Sequence, residues 1–368
     1  MDSPPEALPR RTLLKGAVAL GGVALLPACG SDDSSAGAIV LEDQRGKKLS
    51  LDGPAQRIVT LPMPAASIMI AVDQTAEHLV GIHDASWAAA KQSILGTMFP
   101  QVLEVPHDVG TQDFAPNVEG ILALEPDIVV QWASQGDEII QPLENADLKV
   151  LGVNYGTIED VGTWFSMFST ALGQPERGRA MATRLDADRL AAEAVAAKQT
   201  GRGPRVLYFL RFSEGMEVQG AGTFNEEYVR LVGAENVSSE VEGLAKVDLE
   251  QVLDWDPDVI VLGNFDAAMP GDIYGDRRWR DVAAVKDKRV YRAPLGGYRW
   301  DPPSHESPLM WTWLSQIAFP DGTDGGLRDK IVDDYKYFYG HTPTQSEIDT
   351  ILWKDANGGS ADYDQFSA

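Results

Sequence analysis

A single cysteine, Cys29, among 368 residues excludes an intramolecular disulfide and any metal cluster built from several thiolates. Positive charge is short as well: 31 basic side chains face 55 acidic ones, for a formal net charge of −24. A surface of that sign repels phosphate backbones and anionic headgroups, so no nucleic-acid partner is expected. Histidine is confined to His78, His83, His107, His305 and His341, with no compact His and carboxylate motif of the kind that holds bare zinc. Gly-x-Ser-x-Gly, His-Glu-x-x-His and Gly-x-x-x-x-Gly-Lys-Ser/Thr are all missing, which removes a nucleophile elbow, a metalloprotease helix and a phosphate loop. Ser304, His305 and Glu306 are neighbours in the chain, which is not what a Ser-His-acid triad requires. Nothing repeats at the short period of an adhesion array. No catalytic residue is expected, and a surface-anchored hydrolase stands as the rival reading.

What is present begins with residues 9–15, Pro-Arg-Arg-Thr-Leu-Leu-Lys, followed by an apolar stretch over 16–26 and then Leu26-Pro27-Ala28-Cys29. This pattern reads as an export signal. Arg10 and Arg11 with Leu13, Leu14 and Lys15 resemble a twin-arginine signal, and residues 26–29 resemble a lipobox cleaved before the cysteine. The expectation is a signal peptide over 1–28, a lipid on Cys29, and a tether over 29–55 leading into the domain. Loss of Arg10, Arg11 and Lys15 against Asp2 and Glu6 removes a net +1, so the mature charge is −25. No later stretch is apolar enough to cross a bilayer. The chain would meet the membrane only through its lipid, at the outer face of the cytoplasmic membrane.

The remainder alternates short β-rich runs with helix-patterned segments, the signature of an α/β sheet. One phrase is written twice. Residues 117–130 read Asn-Val-Glu-Gly-Ile-Leu-Ala-Leu-Glu-Pro-Asp-Ile-Val-Val and residues 248–261 read Asp-Leu-Glu-Gln-Val-Leu-Asp-Trp-Asp-Pro-Asp-Val-Ile-Val. Each predicts a capped helix, a Pro-terminated stop and a buried strand, with Asn117 and Asp248 as caps and Gln251 completing a reciprocal capping box. The period is far too long for a solenoid, so the phrase marks two similar lobes. Residues 57–61 and 205–209 open them as strands. Between them, 158–172 and 176–198 read as helical. The expected division is an N-terminal lobe over 56–156, a helical linker over 157–203, a C-terminal lobe over 204–330 and a helical extension over 331–368. A helical strut between lobes implies small closure movements, and two lobes leave one cleft. The aromatic-rich extension is expected to pack on the second lobe.

The stretches 57–61 with 79–82, 117–127, 220–224 with 233–237, 248–258 and 279–291, in that order and spacing, resemble the substrate-binding lipoproteins of ABC importers for iron-siderophores, haem or vitamin B12. The resemblance covers nearly all of the mature chain. It implies two lobes, each with a central, mostly parallel sheet flanked by helices, bridged by one long α-helix. It further implies a monomer that delivers a small-molecule metal chelate to a permease dimer with its cytoplasmic ATPase. One glutamate on each lobe would meet permease arginines, and by motif these are Glu119 and Glu250. An iron(III)-siderophore is the expected cargo; haem, cobalamin, a metal–histidine chelate or an oxyanion such as molybdate are the alternatives. No resident cofactor is implied.

Ligands of open α/β sheets gather at the carboxyl ends of strands. That rule selects Met63, Trp87, Trp132, Arg211 and the segment 298–305, within which Tyr298, Arg299, Trp300 and His305 are candidates. Trp and Tyr supply flat apolar area with a polar handle, and arginine supplies a fixed fork for oxygen-rich ligands. Each has a plainer alternative: Trp132 and Trp300 could be core residues, and Arg211 could pair with an acid. His83, His107 and His305 are weak metal-ligand candidates, and His305 or Tyr298 could ligate haem iron.

Overall fold

The computed structural model describes residues 37–323 and 325–368, so the expected signal peptide, Cys29 and the first part of the tether lie outside the described residues. A hairpin of β1 (Ile39–Glu42) and β2 (Lys48–Leu51) precedes β3 (Ile58–Thr60), β4 (Leu79–Ile82), β5 (Ile128–Trp132) and β6 (Val150–Val153). The last four form a parallel sheet in the order β4-β3-β5-β6. The C-terminal lobe holds β7 (Arg205–Arg211), β8 (Glu217–Gln219), β9 (Glu235–Asn236), β10 (Leu244–Lys246), β11 (Val259–Leu262) and β12 (Val290–Arg292). Its order is β10-β8-β7-β11-β12, with β9 also on β7, and β8 and β10 run antiparallel. Strands β3, β5, β6 and β11 are buried along their whole length, which is why they read as unbroken apolar runs and not as alternation.

The duplicated phrase repeats down to its hydrogen bonds. Helix Val118–Ala123 is capped by the Asn117 side chain and helix Leu249–Trp255 by the Asp248 side chain. Glu125 and Asp256 both take the left-handed conformation before their prolines, with φ of 45° and 41°. In each lobe the following aspartate ties the new strand to the first: Asp127 N donates to Arg57 O and Asp258 N to Arg205 O, both at 2.8 Å. Their carboxylates accept from Arg57 N and Arg205 N in return. The phrase therefore encodes a docking joint between helix, turn and sheet. One detail differs from expectation. Asp248 accepts from Gln251 N, but Gln251 makes no bond back, so the capping box at the second copy is half formed.

Helix Ile158–Ala171, closed by a Thr157–Asp160 capping box, and the 22-residue helix Pro175–Ala196 connect the lobes. The extension departs from expectation in its partners. Helix Leu327–Tyr339 packs against helix Ser307–Ala318 of the second lobe and also against helix Ala65–Asp73 of the first. Arg177 of the linker joins these parts: its guanidinium donates to Ala71 O and Val72 O on one side and to Tyr337 O and Phe338 O on the other. Those carbonyls end helices, where a cation is favoured. Arg184 pairs with Asp334, and Lys330 with Asp188 and Asp334. One apolar cluster accordingly runs unbroken from Ile58 and Val129 of the first lobe to Trp311, Tyr335 and Tyr363.

Candidate functional site

A cavity of about 450 Å³ lies between the lobes. The N-terminal lobe contributes Met63 after β3, Trp132 at the end of β5 with Ser134 and Gln135 just past it, Tyr155 after β6, and Phe114. From the C-terminal lobe come Gln219 of β8, Thr223 and Phe224 at the start of helix Phe224–Leu231, Phe265 after β11, and Tyr298. These are strand ends and helix starts, the positions where backbone turns leave room for a ligand. Phe114, Trp132 and Tyr155 form a continuous ring contact, with centroids 5.7 and 5.6 Å apart. Tyr155 Oη donates to Pro303 O at 2.7 Å, tying the two lobes across the cleft. Burial pushes Tyr298 up to about 12, so it enters the site as a hydrogen-bonding phenol and not as a phenolate.

Among the described residues no carboxylate and no histidine lines the cavity. The nearby cations are Arg211 and Arg299, whose guanidinium carbons lie 5.5 and 5.0 Å from the Phe265 ring. Arg211 is already engaged, 2.7 Å from Glu217. Arg299 donates from Nε to Asn264 O, and among the described residues no carboxylate lies within ion-pair distance of it. Its Nη1, Trp132 Nε1 and Gln219 Oε1 are buried without a protein partner, a condition that favours a ligand or water bridging to them.

Of the residues selected from sequence, the structure brings Met63, Trp132 and Tyr298 to the cavity and sets Arg211 and Arg299 behind Phe265. The others lie elsewhere. Trp300 is fully buried and donates through Nε1 to Glu306 at 2.5 Å. His305 is buried beside it, Nε2 on Tyr339 Oη, and burial pushes it down to about 3, so it is a neutral core residue. It cannot reach the cleft as a haem ligand. Trp87 stacks on His107 at 4.4 Å and donates to Leu103 O. His107 in turn pairs with Asp84, and both ring nitrogens of His83 are used, by Ala85 N and Thr111 O. Among the described residues no cluster of three or more His, Cys, Asp or Glu could hold a metal ion. Sequence reasoning missed Tyr155, Ser134, Gln135 and Phe265, although the strand-end rule applied to β5, β6 and β11 finds all of them. Phe224 and Thr223 stood within a stretch that carried the family resemblance.

Behind the cleft wall lies a buried hub. Glu306, 0% exposed, accepts from Gly297 N, Trp300 Nε1, Tyr335 Oη and Tyr339 Oη. Burial pushes its carboxyl up to about 7 against the pull of those donors. A side chain at Gly296 would run into Glu306, and one at Gly297 into Tyr339, so the loop carrying Tyr298 can sit here only as glycine.

A cleft between two topologically matched α/β lobes is the architecture of two-lobed solute-binding proteins. The periplasmic binding protein family model matches residues 65–295, and the chain belongs to that family. A periplasmic solute binding protein from Veillonella parvula superposes with a TM-score of 0.82 at 33% identity, over 87% of this chain and 98% of that one. The molybdate-binding protein MolA of Haemophilus influenzae is 24% identical, over 84% of this chain and 94% of its own; its molybdate-bound structure gives a TM-score of 0.72. The Fe(3+)-citrate-binding protein YfmC of Bacillus subtilis is 21% identical, over 69% and 78%. The chain is thus the binding component of an ABC importer, working with a permease and an ATPase, and is not an enzyme.

Proposed function

We propose that this protein captures an iron(III) chelate of the siderophore type in the interlobe cleft and hands it to its permease, anchored meanwhile by a lipid on Cys29. The wall of the cleft carries the reading. A chelate saturated by its own organic ligand needs no protein carboxylate or imidazole on its metal, and among the described residues none lines the cavity. It offers flat apolar faces to Phe114, Trp132, Tyr155 and Phe265 and oxygen atoms to Trp132 Nε1, with the positive charge of Arg299 behind Phe265 favouring an oxygen-rich ligand. A cavity of about 450 Å³ suits an organic complex of that size. Glu119 and Glu250, both exposed and neither in an ion pair among the described residues, would dock onto permease arginines.

The second reading is an oxyanion. It is favoured by the same unpaired donors, Trp132 Nε1 and Arg299 Nη1, and by the length of the match to the Haemophilus molybdate-binding protein. Titration of the purified protein with ferric catecholate, ferric hydroxamate, ferric citrate, haem, cobalamin and molybdate, read by tryptophan fluorescence and calorimetry, separates the two. Saturable binding of a ferric chelate with no response to molybdate is expected. Tight molybdate binding with no response to any iron chelate would overturn the reading. In transport, Glu119→Ala with Glu250→Ala is expected to abolish uptake and leave ligand affinity intact.

A further inference from the structure

The duplicated helices repeat more than their glutamates. Along Val118–Ala123 and Leu249–Trp255 the burial pattern is the same position by position: Val118 and Leu249 half-buried, Glu119 and Glu250 exposed, Ile121 and Val252 buried, Leu122 and Leu253 exposed. Leu122 is 44% exposed and Leu253 39%. Each stands three residues after its glutamate, so the two side chains are neighbours on one helix face. Single exposed leucines are ordinary on a soluble protein. Here, however, the strongly exposed large apolar side chains among the described residues are Val40, Leu122, Leu190, Leu244 and Leu253, and the duplicated helix supplies two of them at matching positions.

We infer that Leu122 and Leu253 are the apolar half of a composite contact, in which each lobe presents a Glu–Leu pair to one of two equivalent permease surfaces. The inference rests on the docking reading above and names what that reading lacks. The partner it fits has, on each half, a cationic group beside an apolar pocket. Three features point to it. The full chain holds a formal net charge of −24, and both glutamates are exposed and in no ion pair among the described residues. The pair recurs on equivalent elements, since each helix leads into the strand next to its lobe's opening strand, β5 beside β3 and β11 beside β7. The leucines also have no packing duty: the core position of each helix is filled by Ile121 and Val252, both 0% exposed. A leucine beside a charged pair excludes water from it and strengthens it.

The test is binding of the ligand-free full-length carrier to its permease–ATPase complex in nanodiscs, measured at low and high salt. Leu122→Ser with Leu253→Ser is expected to weaken binding by about tenfold or more while leaving it salt-dependent, since both glutamates remain. Glu119→Gln with Glu250→Gln is expected to weaken binding and flatten that dependence. Leu190→Ser, an exposed leucine on the linker helix, is expected to bind as wild type. Wild-type affinity in the leucine double variant, with a clear loss in the glutamate variant, overturns this inference and leaves the docking reading standing. An equal loss from Leu190→Ser also overturns it. Wild-type affinity in both double variants overturns the docking reading itself. Unchanged melting of all variants shows that none of these results comes from unfolding.

Discussion

Replacement of Glu306 by glutamine makes the stability of the hub readable through pH. Burial raises the Glu306 carboxyl from 4.5 to about 7 in the folded chain. A carboxyl so raised contributes stability that is fully present below pH about 4.5 and lost as pH rises through about 7, roughly 3 kcal/mol in all. His305 works the other way. Burial lowers it from 6.5 to about 3, so its contribution is present above pH about 6.5 and lost as pH falls towards 3. Between about pH 4.5 and 6.5 the two slopes oppose each other, at roughly 1.4 kcal/mol per pH unit each. With Tyr339 Oη touching both His305 Nε2 and Glu306 Oε1, the two titrate inside one network. Glu306→Gln deletes one slope and leaves the other. Urea unfolding at pH 7.5, 6.5, 5.5 and 4.5 is the assay, with the wild-type-minus-variant difference as the quantity read. The remaining carboxylates are common to both proteins and cancel. Donor mismatch around the new amide gives a fixed offset. On top of it, the difference should move in favour of wild type by about 3 kcal/mol from pH 7.5 to 4.5. A difference that stays flat across the range would show that Glu306 is ionised throughout and that burial does not govern it.

Phe265→Ala is expected to weaken ligand binding by about tenfold or more, since it removes an aromatic wall together with the surface on which Arg211 and Arg299 rest; calorimetry checks this. Arg177→Ala strips the carbonyls of Ala71, Val72, Tyr337 and Phe338 of their cation and should cost about 2–3 kcal/mol in denaturant unfolding. Asn117→Ala removes a single cap and should cost about 1 kcal/mol, with no effect on ligand affinity.

The fold was legible where its chemistry is local. A cap, a buried apolar position and a Pro-Asp stop lie within one short phrase, and the structure forms each of them twice; the expected apolar face is narrower, because Leu122 and Leu253 stay exposed. Strand-end residues such as Met63 and Trp132 were legible for the same reason. Trp300 and His305 were not, because neighbouring loop residues face opposite ways. Tyr298 turns to the cleft, while Trp300 turns to Glu306, whose other partners Tyr335 and Tyr339 come from a helix much further along the chain. Nothing local marks which side is the core. The extension was legible in part: its aromatic pattern gives the face that packs on the second lobe, but its bonds to Arg177 and its packing on helix Ala65–Asp73 come from the linker and the other lobe, which nothing local marks.

Helix Leu327–Tyr339 fastens to one lobe beside Ala65–Asp73 and to the other through Glu306 and the loop bearing Tyr298. It acts as a bolt across the hinge, and this has a thermodynamic consequence. A carrier that must first populate a rare closed state binds more weakly by the fraction of time it spends there. With both lobes tied to the same helix, a change in their spacing breaks contacts of Arg177 or of Glu306, so wide excursions of the cleft are disfavoured.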